Sequence, residues 1–282
     1  MKDKFGVLIF CWGRPKFDNT VQSLRRCGYT GDIYMLLDNL DETRFDYIAK
    51  YGSDKCYVFD KKAVASRTDA MNNFDNLAST VFVSNVMFEA AKHFRLDYFA
   101  AMCDDYVAFS HKRETEHITR RLDDVFCAFV RFLAGATRVS CMAFAQGGDF
   151  ATFDKPMTKR KVMNSFICAT DRPFVFKGSM NDDVNMYVYN GMRGLIFLTY
   201  NRFLLHQPPT QSIDGGLSDL YRDMGTYVKS FYSVMLSPSS VKIATMGVKN
   251  PRIHHIIDYN KTVPCIISEK WKKTTKKKGN DL

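Results

Sequence analysis

Phe5-Gly6-Val7-Leu8-Ile9-Phe10-Cys11-Trp12-Gly13-Arg14-Pro15 is an apolar run that stops on a glycine and a proline. It reads as a buried strand closed by a sharp turn. Residues 16–27 then place Phe17, Val21, Leu24 and Cys27 at helical spacing, with Gly28 and Gly31 at the exit. A second apolar run, Ile33 to Leu37, ends in Asp38-Asn39, and a helix over residues 43–51 leads to a third strand, Cys56 to Phe59, ending in Asp60-Lys61. Residues 60–76, rich in Lys, Asp and Asn, are expected as a long loop. Val81 to His93 carries an apolar helical face, and Leu96 to Met102 is a strand running into Cys103-Asp104-Asp105-Tyr106. Strands alternating with helices imply parallel strands joined by crossovers, hence an α/β sheet.

The second half is more mixed. The pattern predicts a helix over 117–134, strands over 138–145, 174–177 and 195–199, a helix over 182–190, and strands over 241–246 and 264–268. No internal repeat and no domain boundary is visible. One domain is expected over 1–269, with a first half to residue 106 and an elaborated second half from 107, followed by a tail over 270–282.

Composition sets the class. The 282 residues are 46% hydrophobic and 25% charged, as in an ordinary globular protein. Mean hydropathy is -0.24, and the longest apolar runs fall far short of the roughly 20 residues that cross a bilayer. No membrane association is expected. The first residues lack the pattern of a secretion signal, which places the protein in the cytoplasm, that of the host if the source is viral. Eight cysteines are scattered singly, with no C-x-x-C pair, which favours reduced, packed thiols over a zinc site. The net charge is +10, and residues 270–282 contribute half of it through six lysines against one aspartate. Such a segment is a solvated end or a loose arm that binds a polyanion by counterion release.

Ligands in open α/β sheets bind outside the carboxyl ends of the strands. The polar residues at those ends, Arg14, Asp38, Lys61 and Asp104, are therefore candidates for a ligand site. Two carboxylates at a strand end, Asp104 and Asp105, are costly without a compensating partner. They suit a divalent cation whose other ligands are phosphate and water, and equally a helix cap or a solvated turn. Gly147 and Gly148 after the strand Val139 to Ala145 let a backbone approach a ligand, or form a hairpin turn. Asn181-Asp182-Asp183 opens an amphipathic segment; one aspartate caps it and the other is a candidate general base. His254 and His255 fall late in the chain. Neighbours on an extended segment face opposite ways, so only one would reach a metal beside Asp105.

The order of these features, a strand-end aspartate pair, a glycine loop, a second acidic pair and a late histidine, resembles that of metal-dependent glycosyltransferases of the GT-A fold. Gly31-Asp32-Ile33-Tyr34, Leu37-Asp38-Asn39, Phe59-Asp60-Lys61, Thr68-Asp69, Ser84-Asn85, Asp97-Tyr98-Phe99 and Cys103-Asp104-Asp105-Tyr106 together resemble the TET/JBP-associated glycosyltransferase family of phages and kinetoplastids. So do Thr210-Gln211, Gly215-Gly216, the string Gly225 to Ser233, Pro238-Ser239 and Arg252-Ile253-His254-His255. The resemblance spans about residues 5–270, and 225–233 and 252–255 are its most specific parts.

That family is understood to glycosylate the hydroxymethyl group of modified pyrimidines in DNA. The resemblance implies a GT-A-like (Rossmann-like) mixed central sheet flanked by helices, with a nucleotide-binding half to residue 106 and an acceptor half beyond. It implies Mn2+ or Mg2+ on Asp105 with His254 or His255, and a UDP-sugar donor, UDP-glucose by default. Arg14, Asp38, Lys61, Asp69, Asp104, Gly147 and Gly148 would lie on the donor. Asp183 would be the base of an inverting displacement, with Asp182 beside it. Cys103 stands where the family commonly has a third aspartate, and Asp182 where a glutamate is more usual. The partner would be double-stranded DNA carrying a 5-hydroxymethylpyrimidine such as 5-hydroxymethylcytosine. Tyr227, Phe231 and Tyr232 would stack on an extruded base, with Lys229, Lys272, Lys273 and Lys276 on phosphates; core packing is the other reading of those aromatics. A glycan or small-molecule acceptor, and a nucleic-acid-binding relative without turnover, are the alternatives.

Overall fold

The computed structural model describes residues 3–72, 76–111, 121–146, 157–159, 165–208, 228–247 and 251–263. Its frame is a nine-stranded mixed sheet. The strands are β1 (Phe5–Phe10), β2 (Asp32–Asp38), β3 (Cys56–Phe59), β4 (Tyr98–Cys103), β5 (Ala108–His111), β6 (Val139–Ala145), β7 (Met157–Lys159), β8 (Ser165–Ala169) and β9 (Ile196–His206). Eight run in the order β3-β2-β1-β4-β8-β6-β9-β5, and β7 pairs with β9. The first four are mutually parallel, with Leu8 opposite Tyr34 on one side and Ala101 on the other. β8 then enters antiparallel between β4 and β6. The sheet is flanked by helices on both sides, the GT-A-like arrangement expected.

Alternation along β1 shows why both faces are covered. Leu8 and Phe10 point into one core with α4 (Val81–His93) and α6 (Asp182–Gly191); Val7 and Ile9 point into the other with α1 (Asn19–Arg26) and α5 (Leu122–Gly135). A strand buried on both faces must be apolar throughout, which is why it reads as a continuous run. Helix α2 (Arg44–Tyr51) adds Tyr47 to the second core. Beyond the sheet, α7 (Val228–Leu236) packs against an antiparallel hairpin of β10 (Val241–Met246) and β11 (Arg252–Ile257). The seven cysteines among the described residues are free thiols. No helix among the described residues is long and apolar enough to cross a membrane.

Three expectations need correction. Residues 61–65 form α3 rather than loop, because the Asp60 side chain caps it by accepting from the Ala63 N–H. Residues 174–177 are no strand: the Asn85 amide occupies both the N–H and the C=O of Phe176, leaving nothing for a ladder. The strand read as 195–199 continues to His206, where its second half pairs with β5. The strand expected over 264–268 lies outside the described residues.

The C-terminal ends of β2 and β3 are tied by an ion pair between Asp38 and Lys61, 2.5 Å apart with both side chains under a tenth exposed. Asp38 also accepts from the Leu40 N–H. Removing one partner of such a pair strands the other charge out of water, at a cost of about 3–5 kcal/mol. Lys61→Met should lower unfolding stability by that amount in urea titration, and Asp38→Asn in the same chain should restore part of it. A loss below about 1 kcal/mol would show the pair to be effectively solvated.

Candidate active site

The carboxyl ends of the parallel strands form one edge, and the turn after β4 carries its acidic pair. Thr20, on α1 and fully buried, fixes that turn: its Oγ1 donates to the Cys103 C=O at 2.7 Å and accepts from the Tyr106 N–H at 2.8 Å. The Thr20 N–H reaches the Asp104 C=O, and Ser23 Oγ donates to the Tyr106 C=O. These bonds satisfy a backbone that could not otherwise leave the sheet so close to the core. They also aim Asp104 inward, where it is 5% exposed.

Arg14 arrives from the β1 turn. Gly13 adopts a φ of 67°, favoured for glycine. Asp41, buried in the loop after β2, accepts from the Gly13 N–H at 2.8 Å and from Thr43, while the Tyr47 hydroxyl accepts from the Arg14 N–H. So held, the Arg14 guanidinium meets Asp104 Oδ1 at 2.5 Å. Among the described residues, Asp104 Oδ2 and Arg14 Nε are buried with no hydrogen-bond partner. Burial pushes the Asp104 carboxyl up to about 6 against the pull of Arg14, and the Asp105 charge adds to the rise. Asp105 is raised too, by burial, again opposed by Arg14.

Asp182 and Asp183 open α6, half-buried. Burial lifts Asp182 to about 7, the Asp183 charge adds to that, and a hydrogen bond from Thr80 Oγ1 at 3.1 Å works the other way. Thr80 stands at the start of α4, and a crossover helix starts at the carboxyl side of the parallel strands, so its bond places Asp182 on the side of the sheet that carries Asp104 and Asp105. Asn181 precedes Asp182 and Asp183 in the left-handed region, with φ 59°. Its Nδ2 donates to Ser233 Oγ at 2.7 Å and lies 3.3 Å from His255 Nδ1, and Ser233 Oγ donates to Asn185 Oδ1. That network docks α7 and the β10–β11 hairpin onto the start of α6.

Of the expected residues, Arg14, Asp38, Lys61, Asp104, Asp105, Asp182 and Asp183 gather along this edge. Asp69 ion-pairs with Lys177 at 2.8 Å and its C=O accepts from the Gly178 N–H, on the approach to α6. The rings of His254 and His255 lie 4.3 Å apart, although they are consecutive on a strand. His255 is buried, with Nδ1 3.3 Å from Asn181 Nδ2. Tyr232 is not placed to stack on a base: 4% exposed, it packs with Met180 while its hydroxyl accepts from Asn72 at 2.7 Å. Phe231 is 43% exposed and Lys229 half-buried on α7. Gly147, Gly148, Tyr227, Lys272, Lys273 and Lys276 lie outside the described residues.

The donor set at the edge fits a hard divalent cation. Among the described residues Asp104 Oδ2 is a buried oxygen without a hydrogen bond, Asp105 stands beside it, and the Arg14 guanidinium does not balance both. Among the described residues no three His, Cys, Asp or Glu side chains form a metal cage. A cation there would be held by one or two carboxylates, with phosphate and water completing its shell.

Thr20, Asp41 and Thr80 escaped the reading of the sequence, and Asn181 was read only as the start of the segment, with an aspartate as its cap, whereas Asn181 itself holds the N-cap position. An isolated polar residue in an apolar helix or after a strand gives no local sign of which distant backbone it holds. Asp182 has a consequence in pH. Its folded value lies above the roughly 3.9 of an unfolded aspartate, so the fold binds the proton more tightly than the unfolded chain. The resulting stability is full below about pH 4 and is lost as pH rises through about 7. Asp182→Asn keeps an acceptor for Thr80 and removes the charge. Its melting temperature in chelator should match wild type near pH 4 and exceed it at pH 8; a difference that stays flat between those values would contradict the assignment.

A profile of the family described as TET-Associated Glycosyltransferase matches residues 5–216. The match covers the whole sheet and both acidic pairs and stops before the strings at 225–233 and 252–255. No curated protein matches the sequence. Among solved structures, glucosyl-3-phosphoglycerate synthase from Mycobacterium tuberculosis, in complex with Mg2+ and uridine-diphosphate, is 9% identical, with 90% of this chain and 88% of that chain covered and a TM-score of 0.42. The same enzyme with Mn2+, UDP-glucose and phosphoglyceric acid gives 9%, 89%, 86% and 0.43, and a further mycobacterial protein 10%, 90%, 84% and 0.44. On the family match, the chain belongs to the TET-associated glycosyltransferases and is a glycosyltransferase.

Proposed function

We propose that the chain transfers a sugar, with inversion, from a UDP-sugar to the hydroxymethyl group of a modified pyrimidine in DNA. The observation that carries this is that the acidic pair after β4 and, through the Thr80 bond at the start of α4, the pair that opens α6 lie on the same side of the sheet, inside the segment matched to the family. Asp105, with Asp104 beside it, would hold Mn2+ or Mg2+, which when bound neutralises charge on the leaving diphosphate. Arg14 adds a fixed positive charge. The partnerless Oδ2 of Asp104 is an acceptor for a hydroxyl of the donor.

On the acceptor side, inversion is one displacement at the anomeric carbon, with the acceptor hydroxyl deprotonated on the face opposite the diphosphate. Asp183 takes that proton. Asp182, pushed up to about 7, can keep a proton of its own and so relieve its repulsion on Asp183. Neighbouring carboxyls whose proton affinities are driven apart by their surroundings divide the labour of acid and base in this way. The basic tail would hold DNA phosphates without regard to sequence.

The test supplies radiolabelled UDP-glucose and other UDP-sugars with Mn2+ to duplexes containing hydroxymethylcytosine and to unmodified controls. Label on the modified duplex alone is expected, and no label with any common donor overturns the proposal. Asp105→Ala should abolish transfer while the circular dichroism and melting curve stay near wild type. Asp183→Asn should bind UDP as wild type does and lose about 10²- to 10⁴-fold in turnover. Collapse of UDP affinity in that variant would make Asp183 a donor-binding residue instead.

A further inference from the structure

Six of the twelve large hydrophobic side chains that stand exposed among the described residues belong to α7 and the β10–β11 hairpin: Phe231, Met235, Ile243, Met246, Ile253 and Ile256. Scattered exposed apolar residues are ordinary, but this is a concentration. Cross-strand partners share a face of the ribbon, and the register sets Val241, Ile243 and Thr245 opposite Ile257, His255 and Ile253. That face is anchored at one end, where Val241 and His255 are buried, and open toward the turn, where Thr245 and Ile253 are exposed. Met246 and Ile256 are exposed on the other face. The turn end of the ribbon therefore stands clear of the body on both sides. A free apolar ribbon is marginal in water and invites contact with another molecule.

Charge selects the partner. Residues 228–257 hold Lys229, Lys242, Lys249 and Arg252 and no Asp or Glu, in a chain that has 30 acidic residues. Lys242 is exposed directly opposite Ile256. Two copies of this surface would set like charges against each other, which disfavours self-association. A DNA duplex offers the complement, phosphates on either side of a groove floored by base edges and thymine methyl groups. Position agrees with charge. His255 Nδ1 lies 3.3 Å from Asn181 Nδ2, and Asn181 precedes Asp182 and Asp183, so the ribbon is rooted beside the proposed base. At about 3.3 Å per residue its outermost pair, Met246 with Arg252, stands roughly 10 Å further out, on the order of three base steps along DNA.

We propose that the β10–β11 ribbon is the part of the protein that enters the DNA duplex, with Met246 and Ile253 wedged into the stack beside the pyrimidine being extruded and Lys242 on a phosphate. This rests on the DNA acceptor proposed above and adds the element that opens the helix. Apolar side chains inserted between base steps unstack and kink a duplex, and an extruded base leaves a gap that such a wedge fills. The ribbon reads no sequence in this role, so the modified base itself selects the target.

The test uses duplexes in which hydroxymethylcytosine is flanked by 2-aminopurine, a base whose fluorescence rises when its stacking is lost. Wild type should raise that fluorescence and glycosylate the duplex. The double variant Met246→Ser, Ile253→Ser should keep the wild-type melting temperature, UDP–Mn2+ affinity and transfer to a short single strand, which needs no opening. Its transfer to the duplex should fall by roughly 10- to 100-fold, with loss of the 2-aminopurine signal. Lys242→Gln should make the salt slope of duplex binding shallower by about 0.9. Duplex transfer, 2-aminopurine signal and salt slope equal to wild type in these variants overturn the ribbon's role and leave the DNA reading standing. Equal losses on duplex and single strand overturn it also, by showing a structural effect on the site. So does a wild-type dimer in analytical ultracentrifugation that the double variant converts to monomer, since the face is then a contact between copies. Wild type that labels no modified DNA removes both the ribbon's role and the DNA reading.

Discussion

Two adjacent carboxylates kept largely out of water at the end of β4, with one guanidinium to balance them, set the terms for the edge around them. Asp104 and Asp105 are each raised by burial, and Arg14 offsets only part of that cost. A fold retains such a cluster only if the backbone leaves no softer conformation, and Thr20, Ser23, Asp41 and Tyr47 supply that rigidity through hydrogen bonds to the turns that carry Asp104 and Arg14. Unfavourable charge held in place by favourable backbone bonds is what a pre-organised site looks like before its ligand arrives. The same logic governs Asp38 and Lys61, with the difference that their charges cancel and the pair ties the ends of β2 and β3.

The second acidic pair reaches this edge by another route. α6 starts at Asn181, whose left-handed backbone and side-chain bonds to Ser233 and His255 join three elements far apart in sequence. Moving the hairpin or α7 therefore moves Asp182 and Asp183 relative to Asp104 and Asp105. Distance between the two acidic pairs is thereby controlled by packing in the second half of the chain, whereas the raised proton affinity of Asp104, Asp105 and Asp182 comes from local burial.

Much of the fold was legible because β1, β2 and β4 are largely buried on both faces and read as apolar runs, and because α4 shows a full helical face. Its predicted limits, Val81 to His93, are the observed ones. β8 was not legible: Ser165–Ala169 is five residues long, and nothing local marks it as the antiparallel strand that splits β4 from β6. α3 was missed because the charged residues around 61–65 suggested solvent, while its start depended on one capping bond from Asp60. At the site, carboxylates at strand ends could be named from position alone, since α/β topology dictates where ligands gather. Which aromatic faces outward could not. Phe231 and Tyr232 are adjacent aromatics between two serines, and only tertiary packing exposes the first and buries the second.

The central claim is that the edge is a joint site for a divalent cation and a nucleoside diphosphate, each incomplete without the other. Thermal unfolding with Mn2+ alone, UDP alone and both together tests it most directly, since a ligand that binds only the folded state raises stability with its occupancy. Either alone should shift the melting temperature little, and the two together should raise it by clearly more than the sum of the separate shifts. Shifts that simply add, or no shift with both present at millimolar concentration, would contradict a shared site at Asp104 and Asp105.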